Sequence, residues 1–184
     1  MTYYGAGDLA AAFRLVRSNT IQIAEEIPED KYGFRATHDT RSVAQLLVHI
    51  AVAPRFQLHV HRNGIADFQG LNFLELIGPL AAEETKSRTK DEILALLRTD
   101  GELFASYIGG VSDAFLSETV KMPAGAKPPT KTRFEMLMSA KEHEMHHRGQ
   151  LMVFQRLIGL TPHLTRQMQE RMASHAAAAA QAAR

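Results

Sequence analysis

The stretch KEHEMHHRGQL, residues 141–151, places His143, His146 and His147 within five positions, with Glu144 and Gln150 beside them. Read literally, His143-Glu144-Met145-His146-His147 spells the H-E-x-x-H of zinc peptidases, in which the glutamate serves as general base. A second chemistry fits the same letters. Imidazoles at i and i+4 lie one turn apart on one face of a helix and form a natural chelate for a divalent ion.

A helical wheel decides where these side chains point. With His143 at zero and roughly 100° per residue, His147 falls near +40°, Gln150 near −20°, His146 near −60° and Glu144 near +100°. Met136, Ala140, Leu151, Phe154, Leu157 and Ile158 share the direction of His143 and His147. Those two histidines therefore occupy the middle of an apolar stripe, where a ring nitrogen without a partner is costly. His146 belongs to the rim. Glu144 sits at the stripe's margin, close enough to act as a proton acceptor, and Gln150 shares the face on which it could orient a nucleophile or substrate.

Such an ion needs a third protein ligand, and SVAQLLVHIA offers one. Around His49, the residues Leu46, Ala53, Phe56 and Val60 cluster within roughly 60°, so His49 is also central to a buried stripe. His59 and His61 fall off that stripe and read as solvated, while His38 and His163 sit in connections. His49, His143 and His147 on two facing helices make a three-imidazole site with open coordination positions.

Four helical segments position these residues. The first runs from about Asp8 to Ile27, where Pro28 ends it. The second begins at Ser42, whose S-V-A-Q is a capping box with Gln45, and runs to Arg62 before Asn63-Gly64. Pro54 removes a backbone bond to residue 50 and should kink it about one turn past His49. The third begins at the T-K-D-E box of Thr89 and ends at Gly109-Gly110. The fourth begins at the T-R-F-E box of Thr132 and ends at Ile158. The connection 63–88 holds a possible short helix in NFLELIGPLAAEE, and SETVKM is the one strand candidate. The expected fold is all-α, a four-helix bundle with long connections. Residues 1–164 form the metal-binding bundle, and the alanine-rich tail 165–184 is a helical extension or disordered.

Composition narrows the chemistry. The 184 residues include no cysteine, which excludes disulfides, thiolate nucleophiles and cysteine-based zinc sites. A net charge of +1 with interspersed signs gives no nucleic-acid footprint. No leader or membrane-length apolar run is evident, so a cytoplasmic protein without membrane partners is expected. A zinc peptidase is disfavoured because so little strand is available to hold an extended substrate. A di-iron bundle is excluded because Glu144-x-x-His147 has no counterpart on another helix.

These features together, the histidine within SVAQLLVHIA, the upstream IPEDKYGFRATHDTRS and HEMHHRGQL on the last helix, resemble the DinB/YfiT-like superfamily over roughly residues 5–160. HHRGQ is the most specific element. The resemblance implies an up-down-down-up bundle, commonly a homodimer, with a divalent metal on His49, His143 and His147. It further implies activities similar to thiol transferases acting with bacillithiol or mycothiol, or to maleylpyruvate isomerase. The chain departs from the pattern in lacking a tryptophan near His49 and in carrying Pro54 and the alanine-rich tail.

The expected function is then a metal-dependent enzyme acting on a small molecule. A Zn or Ni ion would activate water, as in a hydrolase, or a low-molecular-weight thiol cosubstrate, as in a thiol S-transferase. Glu144, His146 and Gln150 are the catalytic candidates, and Arg55, Arg148 and Tyr107 are candidates for holding an anionic substrate. The alternative is a non-catalytic metal-binding or regulatory bundle.

Overall fold

Three side-chain caps set where the long helices begin. The structure, a computed structural model, describes residues 4–182. In it Gln45 N donates to Ser42 Oγ at 3.2 Å while Ser42 N donates to Gln45 Oε1 at 3.1 Å. The same reciprocal pairing joins Thr89 to Glu92 and Thr132 to Glu135. Each box satisfies two backbone donors that a helix start leaves without intrahelical partners.

The helices are α1 (Ala6–Glu26), α2 (Val43–Val52), α3 (Pro54–Arg62), α4 (Phe73–Glu83), α5 (Lys90–Gly109), α6 (Asp113–Ser117), α7 (Arg133–Leu157) and α8 (His163–Ala182). The expected second helix is thus two, α2 and α3, meeting at Ala53. Proline has no N–H to donate four residues back, so the ladder stops there and restarts with Pro54 in the first turn. The short helix expected within 63–88 is α4, capped by Asn72. SETVKM contributes β1 (Thr119–Lys121), which pairs antiparallel with β2 (Thr130–Thr132), a strand the sequence reading did not anticipate. The alanine-rich tail is helical as far as Ala182, and its last two residues lie outside the described ones. His163, expected in a connection, instead opens α8 and is buried.

Four elements make the bundle: α1, the α2–α3 pair, α5 and α7. Their order in space follows from the two main apolar clusters. One collects the end of α1 (Ile23, Ala24), the start of α2 (Val43, Leu46), the start of α5 (Ile93, Leu97) and the end of α7 (Leu151, Phe154). The other collects the start of α1 (Leu9, Phe13), Leu58 of α3, the end of α5 (Phe104, Ile108) and the start of α7 (Leu137, Ala140). A chain that visits the two ends in that sequence runs up, down, down, up. The parallel middle pair requires a connection as long as the bundle, and residues 63–89 with α4 supply it.

Between the two clusters each helix contributes polar side chains. Arg17 lies on α1, His49 on α2, Asp100 on α5, and His143, Glu144 and His147 on α7. Arg17, Asp100, Glu144 and His147 are among the buried polar residues. A polar layer therefore crosses the middle of the bundle. Among the described residues, no helix is long and apolar enough to cross a membrane.

Candidate metal centre

His49, His143 and His147 meet in that layer, and they are the group of potential metal ligands found among the described residues. The Nε2 atoms form a nearly equilateral triangle: His49 to His143 is 3.0 Å, His49 to His147 is 3.2 Å, and His147 to His143 is 3.1 Å. Nitrogens about 2.0–2.1 Å from one ion stand about 2.9 Å apart on an octahedral face and about 3.3 Å apart on a tetrahedral one. The observed sides fall between those limits, so the triangle fits a single ion with room for further ligands on its open side.

The outer edges of two rings explain which nitrogens face inward. His49 Nδ1 lies 2.8 Å from Glu84 Oε1, and Glu84 also accepts from Arg41 Nε at 2.5 Å. Burial works against the Glu84 charge, but the hydrogen bonds from Arg41 and His49 outweigh it and hold the carboxyl below its ordinary pKa. An ionised carboxylate only accepts, so the His49 proton sits on Nδ1 and the Nε2 lone pair points into the triangle. On the other side His147 Nδ1 lies 2.8 Å from Gln150 Oε1, whose amide nitrogen is 3.2 Å from His146 Nε2. A chain of donors from His147 through Gln150 to His146 again leaves the His147 Nε2 lone pair facing inward.

Electrostatics keeps the cluster unprotonated. Burial, followed by the neighbouring histidines, pushes His143 down to about 4. Burial likewise lowers His49 and His147, against opposing hydrogen bonds from Glu84 and Gln150 respectively. The inward lone pairs of His49 and His147 offer a cation two ready donors, and His143 Nε2 completes the triangle. The donor set is that of a three-histidine catalytic site, which leaves coordination positions open.

The residues expected to work beside the ion separate. His146 is exposed, with its ring edge-to-face with that of His147 at 4.8 Å between centroids, and is reached by solvent. Gln150 is exposed and serves His147 directly. Glu144 requires a correction. Its carboxylate is 1 % exposed and engaged by Arg17, whose Nε donates to Oε1 at 2.9 Å and whose Nη2 lies 2.9 Å from Oε2. At the margin of the stripe it turns toward α1, away from the ring cluster, so it is no proton acceptor here.

Arg17 does more than neutralise Glu144. Nη1 donates to Leu97 O at 2.7 Å and Nη2 to Ile50 O at 3.1 Å. Ile50 O is the carbonyl that Pro54 leaves without its helical donor, so the proline break and the buried arginine are complementary. Gly101 makes room: a Cβ there would stand 2.8 Å from Arg17 Cγ. One guanidinium thereby joins the residue after His49 to the residue after His143.

The anionic-substrate candidates do not reach the centre. Arg55 pairs with Asp100 at 2.6 Å, the Arg62 guanidinium lies 5.4 Å from the Tyr107 ring, and Arg148 lines neither hollow beside the histidines. His61, read as solvated, is 3 % exposed and lies 3.0 Å from Arg133 Nη1. The wheel left it in solvent because Arg133 at the start of α7 and Phe115 of α6, far along the chain, cover that face of α3. Missed altogether were Arg41 and Glu84. Arg41 carries a weak signal, since it immediately precedes the cap of the helix bearing His49. Glu84, the second of two adjacent glutamates in EETK, carries none.

Comparison with known proteins agrees with this architecture. The chain matches the DinB family model over residues 2–179. It is 22 % identical over 156 residues to the uncharacterized protein YjoA of Bacillus subtilis, covering 85 % of this chain and 92 % of that one. The crystal structure of YjoA superposes with a TM-score of 0.61, covering 83 % and 93 % of the two chains. A DinB-like protein from Bacillus cereus superposes at 0.66 with 17 % identity, covering 88 % and 97 %. YfiT from Bacillus subtilis, described as a probable metal-dependent hydrolase with an unusual four-helix bundle topology, superposes at 0.64 with 14 % identity, covering 88 % and 91 %.

Proposed function

The chain belongs to the DinB family, and from that premise we propose that it is a metal-dependent enzyme whose ion is held by His49, His143 and His147. The observation that carries the reading is the Nε2 triangle of 3.0–3.2 Å sides, with Glu84 and Gln150 holding the protons of two of its rings on the outside. Zinc or nickel suits an all-imidazole set. Once bound, the ion supplies Lewis acidity that lets a water or low-molecular-weight thiol attack at neutral pH.

The chain's own residues do the rest. Glu84 and Gln150 fix the tautomers of His49 and His147, so neither of those rings has to rotate or lose a proton on loading. His146, exposed beside His147, is the candidate base, and it would take the proton of the attacking group by giving up its Nε2 contact with the Gln150 amide. With no cysteine in the chain, a transferred thiol must arrive with a substrate. Hydrolysis is supported by the description of YfiT, thiol transfer by the family resemblance of the histidine motif.

Metal analysis of the purified protein tests the first half. We expect one divalent ion per chain, lost in both His49→Ala and His143→Ala. Thiol conjugation to monochlorobimane, run with several thiols beside a panel of chromogenic esters and amides, then separates transfer from hydrolysis. A wild-type protein that stays metal-free in excess zinc and nickel would sink the reading.

A further inference from the structure

Two hollows flank the histidine cluster, and they differ in chemistry. On the His147 side the walls include Asp39, Thr40 and Gln150. On the His49 and His143 side lies a cavity of about 380 Å³, inside the range of roughly 300–1,000 Å³ typical of small-molecule sites. Its walls are Val52 and Phe56 from the α2–α3 pair, Phe73, Ile77 and Leu80 from α4, and Ala140 from α7. An apolar cavity of about 150 Å³ admits benzene, so this one has space for a larger body than a single ring.

The polar groups that do line this cavity are turned to one another. Arg41 pairs with Glu84 at 2.5 Å. Gln57 Nε2 donates to Ser139 Oγ at 3.3 Å, and Ser139 Oγ donates to Met136 O at 2.6 Å. Apart from the outer edge of the Arg41 guanidinium at the rim, what remains for a ligand is apolar contact along the walls and the imidazole cluster at one end. A substrate with a second charge or several hydroxyls would lose hydration in this space without replacement.

We propose that this cavity binds a substrate with a single polar, ion-binding head on an aliphatic or aromatic body, the head meeting the histidine cluster and the body lying between Phe56, Phe73, Ile77 and Leu80. The inference rests on the metal centre proposed above and adds the substrate's chemical class and orientation. The more polar hollow on the His147 side, where Leu46 and Phe154 share the wall with Asp39, Thr40 and Gln150, is then the approach for water or a hydrophilic co-reactant. Helix α4 forms the outer wall. It has no buried residue of its own, which makes it a wall that can be altered without disturbing the core.

Calorimetric titration of the zinc-loaded protein with straight-chain hydroxamic acids, from acetohydroxamate to octanohydroxamate, tests it. The head is constant and only the body grows. Affinity should rise about threefold to fourfold per methylene until the cavity is full. Ala81→Trp, on the exposed α4 wall, should flatten the series while leaving acetohydroxamate unchanged, and Ile77→Asn should reduce its slope. A flat series on protein that retains one zinc overturns the apolar-body assignment and leaves the metal centre standing. A rising series unaffected by either substitution overturns it as well, since the chain would then lie elsewhere. Protein that neither holds zinc nor binds acetohydroxamate overturns both readings.

Discussion

An imidazole is a useful ligand only in one tautomer and one orientation, and at the centre two carbonyl-type oxygens enforce both. Glu84 and Gln150 act through His49 and His147, so their removal should weaken metal binding without unfolding the chain. Glu84→Ala and Gln150→Leu are each expected to lower zinc affinity about 10–100-fold in a chelator competition, the range for partners of ligating histidines. Circular dichroism should be unchanged. A different histidine reports on pH. Burial, then the nearby Arg133 charge, pushes His61 down to about 4 from an ordinary value of 6.5. The folded state therefore excludes a proton that the unfolded chain accepts. The stability associated with a neutral His61 is complete above pH 6.5 and is lost progressively as pH falls toward about 4. The urea midpoint of the native protein should drop more between about pH 7.5 and pH 5 than that of His61→Gln. Equal drops would mean that His61 takes up its proton alike in the folded and the unfolded chain.

Helices deliver these residues, and their relative register is what a buried ion pair controls. Arg17 on α1 touches Glu144 on α7, Ile50 on α2 and Leu97 on α5, so all four bundle elements meet at one guanidinium. The bundle needs Pro54 for this, because a regular helix would occupy the Ile50 carbonyl. Removing one partner leaves a buried charge alone. Arg17→Met should thus destabilise by about 3–5 kcal/mol, whereas the double change Arg17→Met with Glu144→Met should regain most of that loss. Zinc affinity separates a stabilising pair from a positioning one. If the pair sets the spacing of His49 and His143, the double variant recovers its melting temperature but not its affinity. Recovery of both would assign the pair to stability alone. The capping boxes at Ser42, Thr89 and Thr132 were legible in the sequence because they depend on residues three apart. The pairing of Arg17 with Glu144 spans 127 positions and leaves no local trace.

Across the whole molecule the polar layer is a weakness that an ion can offset. Three imidazoles are held with their Nε2 atoms 3.0–3.2 Å apart, and the unfolded chain has no such cluster to offer. Zinc should therefore stabilise the native state selectively. At a free concentration of about 100 times Kd the gain is about 2.7 kcal/mol, or a rise in Tm of roughly 5–10 °C for a chain of this size. Differential scanning fluorimetry with and without a chelator measures it, and His143→Ala should abolish the shift. The long connections act at the same scale. The stretch between α3 and α5 carries the chain back along the bundle so that two neighbouring helices run parallel. It also places α4 over the open side of the centre, with Glu84 at its end.

Sequence alone determined the helical class, three helix starts, the break at Pro54 and the three convergent histidines. Each of these is written in spacing: a hydroxyl three residues before a carboxylate or amide, a missing N–H, imidazoles at the middle of apolar stripes. It misjudged Glu144, because a side chain at the edge of a stripe can turn toward either neighbouring helix and only the position of Arg17 decides which. It misjudged His61, because Phe115 and Arg133 cover a second face of α3 from distant parts of the chain. It was silent on Glu84 and on the apolar cavity, since both depend on where a long connection comes to rest. Local spacing dictates which residues a helix presents; what they meet is dictated by packing between segments far apart in the chain.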